Sequence, residues 1–198
     1  MHSDHRTRRK AYSLYLNNLD TLDHKKSMKN TLCIVTGAPG SGKSTTLQAF
    51  LELHSPYIAF DIDWLAEAAS RLADKDIYSD PSTWKPYASL WFEVLHAVYK
   101  NGQIPVFFTP NDPRDMEQYG QPVWCRDIKW LLLDCDDQTR RERLSQRSDW
   151  TERKIAEAFA DARALRQAIP LQVDTGLLSP KAIAAKILDW LEQVYRED

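Results

Sequence analysis

No apolar run in this chain is long enough to cross a bilayer; the longest, such as Trp130–Leu133, have the length of a strand. The N-terminus lacks the apolar stretch of a secretory leader. An excess of one charge is missing too. The formal net charge is −2 over 198 residues, which offers no electrostatic footprint for nucleic acid or an anionic membrane. Cysteine is scarce, and Cys33, Cys125 and Cys135 show no paired spacing. A disulfide framework and a thiolate metal site are therefore not expected, whereas buried free thiols in a reducing cytoplasm are. His2, His5, His24, His54 and His96 are scattered without metal-ligand spacing. Internal repeats and low-complexity tracts are absent.

What is present is the composition of a globular domain, 43% hydrophobic and 27% charged, at a length that can bury a core without disulfides or metals. Residues 1–30 differ from the rest. Two basic clusters, Arg6, Arg8, Arg9 and Lys10, then Lys25, Lys26 and Lys29, flank Tyr12, Leu14, Tyr15, Leu16 and Leu19. They read as a solvated, partly ordered extension rather than a nucleic-acid arm. The functional domain is expected over 31–198.

Strand and helix patterns alternate along that domain. Strands are predicted at Thr31–Thr36, Tyr57–Phe60, Ile104–Phe108, Trp130–Asp134 and Leu171–Asp174. Helices are predicted from Lys43 to about Leu53, from after Asp63 to about Leu72, and over Tyr87–Val98 with Gly102 as stop. Three more follow: Asp137–Arg147, Thr151–Ala168 and one opened by Ser179-Pro180, where a capping hydroxyl precedes proline at the first helical position. Residues 74–86 and 109–125, rich in proline and glycine, read as irregular. Alternation of this kind predicts an α/β fold, a parallel sheet with helices on both faces.

Between the first strand and first helix stands Gly37-Ala38-Pro39-Gly40-Ser41-Gly42-Lys43-Ser44-Thr45, a complete G-x-x-x-x-G-K-[ST] pattern in strand–loop–helix context. Glycines let the backbone turn so that successive N–H groups face a phosphate chain. The helix that follows starts with free N–H groups and a positive dipole end. Lys43 supplies a point charge to the β- and γ-phosphates, and Ser44 a hydroxyl for Mg²⁺. The pattern predicts binding of a nucleoside triphosphate and leaves open what happens to it.

A guanine-reading N-K-x-D and a D-x-x-G are both absent. No acid ends the strand Ile104–Phe108; Thr109-Pro110 follows it. Asp134 does end an apolar strand, so a metal-holding role for it stays open. Asp61 and Asp63 follow the second strand directly, at the carboxyl edge where ligands of open parallel sheets bind. Two residues apart on extended chain they face one side. One can take a proton from an acceptor hydroxyl, and the other can hold metal-bound water or the acceptor. Asp63 can equally cap a helix starting at Trp64. Arg140, Arg143 and Arg147 recur at i, i+3 and i+7, a one-sided guanidinium display suited to phosphate or base, or else a solvated face.

Four stretches, Gly37–Thr45, Phe60–Asp63, Leu132–Arg143 with Arg147, and Val173–Pro180, together resemble the P-loop superfamily of small-molecule and nucleotide kinases. Shikimate kinases, gluconate kinases, chloramphenicol phosphotransferases, zeta-type toxins and nucleoside monophosphate kinases belong to it. The resemblance covers about residues 31–198, and only the first stretch is a specific motif. It implies a three-layer P-loop NTPase fold with a five-stranded sheet of order 2-3-1-4-5 and a short lid near 145–153. It implies Asp63 as base, Asp61 near Mg²⁺ or acceptor, Arg147 reaching the phosphates from the lid, and Arg143 and Thr175 beside the adenine of ATP.

The expected activity is therefore transfer of the γ-phosphate of Mg·ATP to a hydroxyl or phosphate of a small-molecule acceptor, by a cytoplasmic monomer or homodimer. Trp64, Trp84, Tyr87, Trp91 and Phe92 fall in the acceptor segment; Trp91 fits its helix's apolar stripe, leaving Trp84 and Tyr87 to line a pocket. Arg114 is a candidate for an anionic acceptor group. Two other readings stand beside this one: an ATP-binding regulatory module that transfers nothing, and a polynucleotide 5′-end kinase using the basic N-terminus.

Overall fold

The computed structural model describes residues 30–196. The N-terminal extension read from the sequence lies outside them apart from Asn30. Five parallel strands form one sheet in the order β2-β3-β1-β4-β5, as expected: β1 (Thr31–Thr36), β2 (Tyr57–Asp61), β3 (Ile104–Thr109), β4 (Asp127–Asp134) and β5 (Gln172–Asp174). Helices α1 (Lys43–Leu51), α2 (Ala66–Ala73), α3 (Trp84–Lys100), α4 (Pro113–Tyr119), α5 (Asp137–Ser145), α6 (Glu152–Ala168) and α7 (Pro180–Arg196) connect and cover it.

The central strand explains the layering. All six residues of β1 are buried, and its side chains alternate between two cores. Cys33 and Val35 face Leu47 and Phe50 of α1 and Ile183, Ile187 and Leu191 of α7. Leu32 and Ile34 face Tyr87, Trp91 and Leu95 of α3. A sheet buried on both faces needs such apolar runs. Smaller clusters seat α6, through Ala162 and Leu165 on Ala38 and Leu132, and through Ile155 and Ala158 on Leu144.

Register aligns the carboxyl ends of the strands. Asp61 lies opposite Phe108, Thr36 opposite Thr109 and Leu132, and Asp134 opposite Asp174. One edge of the sheet therefore carries the loop after β1, the Asp61 corner and the β4 terminus.

Two segments read as irregular are ordered. Within 109–125, α4 is a helix capped by a reciprocal box: Asp112 accepts from the Arg114 N–H at 2.7 Å, and Asp115 accepts from the Asp112 N–H at 2.8 Å. Within 74–86, a 3₁₀ turn spans Pro81–Thr83 and leads straight into α3. Pro86 sits in the first turn of α3, where a missing N–H breaks no intrahelical bond. Among the described residues, no helix is long and apolar enough to cross a membrane.

Candidate functional site: a phosphate cradle at the sheet edge

The loop 37–42 is held by side chains that take its carbonyls. Arg140 Nη1 donates to the Pro39 carbonyl at 2.6 Å, Arg143 Nη1 to the Gly40 carbonyl at 3.1 Å, and Thr175 Oγ1 to the Ser41 carbonyl at 2.8 Å. In a planar trans peptide the N–H points opposite to the C=O. Tying Pro39 and Ser41 carbonyls outward turns the Gly40 and Gly42 N–H groups to the concave side. The Ser41 N–H instead closes the turn on Ala38, at 3.1 Å. Gly40 and Gly42 adopt φ of +79° and +87°, which side chains disfavour. Helix α1 begins immediately after, so its first-turn N–H groups complete an anion-binding concavity.

Lys43 donates through Nζ to the Gly37 carbonyl. Burial pushes its pKa down to about 8; the Asp61 and Asp63 carboxylates pull it back up, and Arg140 and Arg147 depress it further. Both carboxylates and both guanidiniums thus lie within electrostatic reach of the lysine. Ser44 and Thr45 are exposed at the start of α1.

The carboxylate pair divides differently from one option in the sequence. Asp61, not Asp63, is the capping residue: it is buried and accepts from the Asp63 N–H at 3.0 Å, opening a 3₁₀ turn over Ile62–Leu65. Asp63 is free of that duty; the residue as a whole is exposed, but its carboxyl group is partly shielded from water. Its pKa is raised, first by burial of its carboxyl group and then by Asp61, against the pull of Lys43. Among the described residues no group of three or more His, Cys, Asp or Glu side chains gathers into a metal site. Ser44 and Asp61 are hard oxygen donors, a set that suits Mg²⁺, which completes its shell with water and phosphate oxygens.

The helix expected to run to Arg147 ends at Ser145, so Arg140 and Arg143 lie on α5 while Arg147 lies in the loop after it, and the three do not act alike. Arg140 is fully buried behind the loop and paired with Asp134. Arg143 bridges Gly40 to Thr175, donating to Thr175 Oγ1 at 2.9 Å and its carbonyl at 2.8 Å. Arg147 is exposed, its guanidinium 5.7 Å from the Trp150 ring centre in the loop 146–151 between α5 and α6. Asp134 is shared between Arg140 and Arg166, which leaves no free carboxylate for the metal role the sequence left open. Arg166 is a residue sequence reasoning missed; a salt bridge from the last turn of a distant helix leaves no spacing signal.

In the segment read from the sequence as an acceptor region, Tyr87 is buried and donates to the Ile62 carbonyl, the peptide between the two carboxylates. Trp91 donates to the same carbonyl at 3.0 Å from the core, as its apolar stripe foretells. Trp84 is partly exposed and bonds the Ile77 carbonyl at 3.0 Å. The Tyr87 ring forms one wall of a cleft of about 440 Å³, with Ala69, Leu72, Ile77, Pro86 and Leu90. Arg114 lies on α4 with its guanidinium committed to Asp112. Tyr78, near enough for Asp63 and Asp61 to raise its pKa after burial, carried no sequence signal.

A family model described as an AAA domain matches residues 33–165. The chain belongs to this AAA-domain family. No curated protein matches it. The fold of this AAA domain recurs in solved structures, kinases among them. The tunicamycin resistance protein of Deinococcus radiodurans is 17% identical over 81% of this chain and 95% of that one, with a TM-score of 0.63. A sugar kinase from Janibacter is 19% identical over 82% and 94%, with a TM-score of 0.56. The shikimate kinase of Aquifex aeolicus is 16% identical over 83% and 98%, with a TM-score of 0.51. The AAA domain therefore has the P-loop kinase fold, and its matched residues include the phosphate loop, both carboxylates and the arginines of α5.

Proposed function

We propose that this AAA domain transfers the γ-phosphate of Mg·ATP to a small-molecule acceptor. The observation that carries the reading is the convergence of Lys43, Asp61 and Asp63 at one loop: the lysine of the phosphate motif is within the field of two carboxylates from the neighbouring corner. A module that only binds ATP has no use for an exposed carboxylate with a raised pKa beside the phosphate site.

In this reading the Gly40, Gly42 and α1 N–H groups and Lys43 hold the β- and γ-phosphates. Arg147 reaches them from the 146–151 loop, and Arg143 and Thr175 flank the adenine. Asp63 orients the acceptor hydroxyl and receives its proton. The acceptor oxygen bonds to the γ-phosphorus, the bond to the β,γ-bridging oxygen breaks, and ADP leaves. Bound Mg²⁺, held by Ser44 and through Asp61, would neutralise phosphate charge. The apolar cleft beside Tyr87 suits the body of an apolar or planar acceptor.

The test is the fate of the label when ATP labelled at the γ position meets a panel of nucleosides, nucleotides, sugars, hydroxylated antibiotics and oligonucleotides. Label on one acceptor, lost in Lys43→Ala, supports the reading. ATP bound with label on no acceptor transfers it to a regulatory module; label on an oligonucleotide end transfers it to a polynucleotide kinase.

A further inference from the structure

Beneath the phosphate loop lies a charge that phosphate binding does not itself require. Arg140 is 0% exposed. Its Nη1 holds the Pro39 carbonyl, its Nη2 pairs with Asp134, and its Nε has no hydrogen-bond partner among the described residues. Asp134 in turn accepts from Arg166 Nε at 2.5 Å, and Arg166 continues to the Cys135 carbonyl at 2.8 Å and to Asp137 at 3.2 Å. An apolar side chain of similar volume would fill this space without desolvating a cation, and buried ion networks are commonly replaceable in that way without loss of stability. A buried guanidinium with an unpaired N–H is a local cost, and such costs are expected where geometry is held for function.

What the guanidinium holds is the direction of one peptide. The Pro39 carbonyl is drawn to the back of the loop, so the Gly40 N–H faces the concave side. Helix α5 also backs the same residue sterically: Arg140 Cγ and Leu144 Cγ stand 3.1 Å from where a Gly40 β-carbon would be. The partners come from separate elements. Asp134 ends β4, Arg140 belongs to α5 and Arg166 to α6, so the two helices flanking the 146–151 loop meet behind the cradle.

We infer that Arg140 is a positioning residue for the phosphate loop, locked by Asp134 and, through it, by Arg166. The inference rests on reading Gly37–Thr45 as a triphosphate cradle. In this reading Arg140 acts through the Pro39 carbonyl, aiming the Gly40 amide rather than meeting the phosphate itself.

The test is calorimetric binding of Mg·ATP, inorganic tripolyphosphate and adenosine to the full chain, comparing wild type with Arg140→Met, Arg140→Lys and Arg166→Met. Loss of one well-aimed amide to a charged ligand predicts ATP and tripolyphosphate binding weaker by about tenfold in Arg140→Met, with adenosine binding unchanged. Arg140→Lys restores part of the loss, since one amine can hold Pro39 or Asp134 but not both with a fork's geometry. Arg166→Met, at a partly exposed site, shows a smaller loss in the same direction, and serves if Arg140→Met does not fold. Unchanged triphosphate affinity in the folded variants overturns the inference, as does an equal loss of adenosine and triphosphate binding, which marks a merely structural role. A wild-type chain that binds neither ATP nor tripolyphosphate is a different failure, that of the cradle reading itself.

Discussion

At the scale of the residue, Lys43 gives the sharpest forecast because two of its properties respond to pH in opposite directions. Burial brings its pKa from 10.5 to about 8. In the free protein the ammonium is lost as pH rises past about 8, and a triphosphate needs the charged form. ATP affinity should hold steady below that point and weaken above it, by up to about tenfold per pH unit. Lys43→Arg, charged throughout, should flatten the profile. Folding stability should move the other way. Between about 8 and 10.5 the unfolded chain binds more protons at this site than the folded one, so this group's contribution to stability rises with pH across that window. Titrations of ATP affinity and of chemical denaturation, each compared with Lys43→Met, read both; an affinity indifferent to alkaline pH in the wild type would refute the lowered pKa, and wild-type ATP affinity in Lys43→Met would remove Lys43 as the phosphate cation. Asp63 supplies a second forecast. Asp63→Asn should keep ATP binding and lose phosphate transfer by about two to four powers of ten, and full turnover in that variant would end its assignment as base. The raised pKa of Asp63 adds that transfer should fall as pH drops through its titration, since the base must be ionised. The residue types were legible in the sequence and their division of labour was not. The sequence offered Asp63 as a cap, and the observed φ of −100° and ψ of 133° at Asp61, with its bond to the Asp63 N–H, assign that duty to Asp61 instead.

At the scale of the element, the loop after β1 was legible because its motif fixes Gly37, Gly42, Lys43 and Ser44 and its context is strand then helix. Its tolerance is not legible from the motif alone. A β-carbon on Gly37 would fall well inside van der Waals contact of the Leu133 carbonyl oxygen and the Ser41 side chain. A backbone oxygen of β4 cannot swing aside as a side-chain tip can. Gly37→Ala should therefore displace the loop and abolish ATP binding by calorimetry while the sheet still folds, and retention of wild-type affinity would refute the packing described for it. Gly102→Ala is the control for the cradle: nothing stands near its β-carbon site, but its φ of +75° strains a side chain, so it should cost stability and leave ATP affinity unchanged. The missed helix α4 shows the opposite error. Pro110, Pro113, Gly120 and Pro122 read as loop residues, yet Pro113 occupies the first helical position behind a capping Asp112, with Asp115 closing the box. The signal was present and was outweighed by composition. Arg140 and Arg143 of α5, with Arg147 just beyond it, mark a further limit. Their spacing predicts a common face, but not that the face spans fully buried Arg140, half-buried Arg143 and exposed Arg147, because depth is set by how α5 leans on the loop and on β4.

At the scale of the whole molecule, alternation of strands and helices makes the sheet legible, and the strand order follows from the resemblance carried by four short stretches; the pairing of Asp134 with Arg166, 32 residues apart, belongs to neither and comes only with the packed chain. The two-core architecture separates stability from binding, which can be tested. Leu191 is fully buried in the core that α7 shares with β1 and α1, away from the cradle at the carboxyl edge. Leu191→Ala should lower unfolding free energy by about 2–5 kcal/mol through lost burial and a residual cavity. If ATP binds the folded chain and not the unfolded one, it should raise the unfolding free energy by the amount its concentration over Kd dictates, about 2.7 kcal/mol at a hundredfold excess over Kd. If the cradle is independent of the α7 core, that increment is the same in Leu191→Ala as in the wild type, although the two proteins start from different stabilities. A smaller increment in the variant would mean that α7, through Leu47 and Phe50 of α1, helps to set the helix whose first turn carries Lys43, and that the core on this face belongs to the site as much as to the fold.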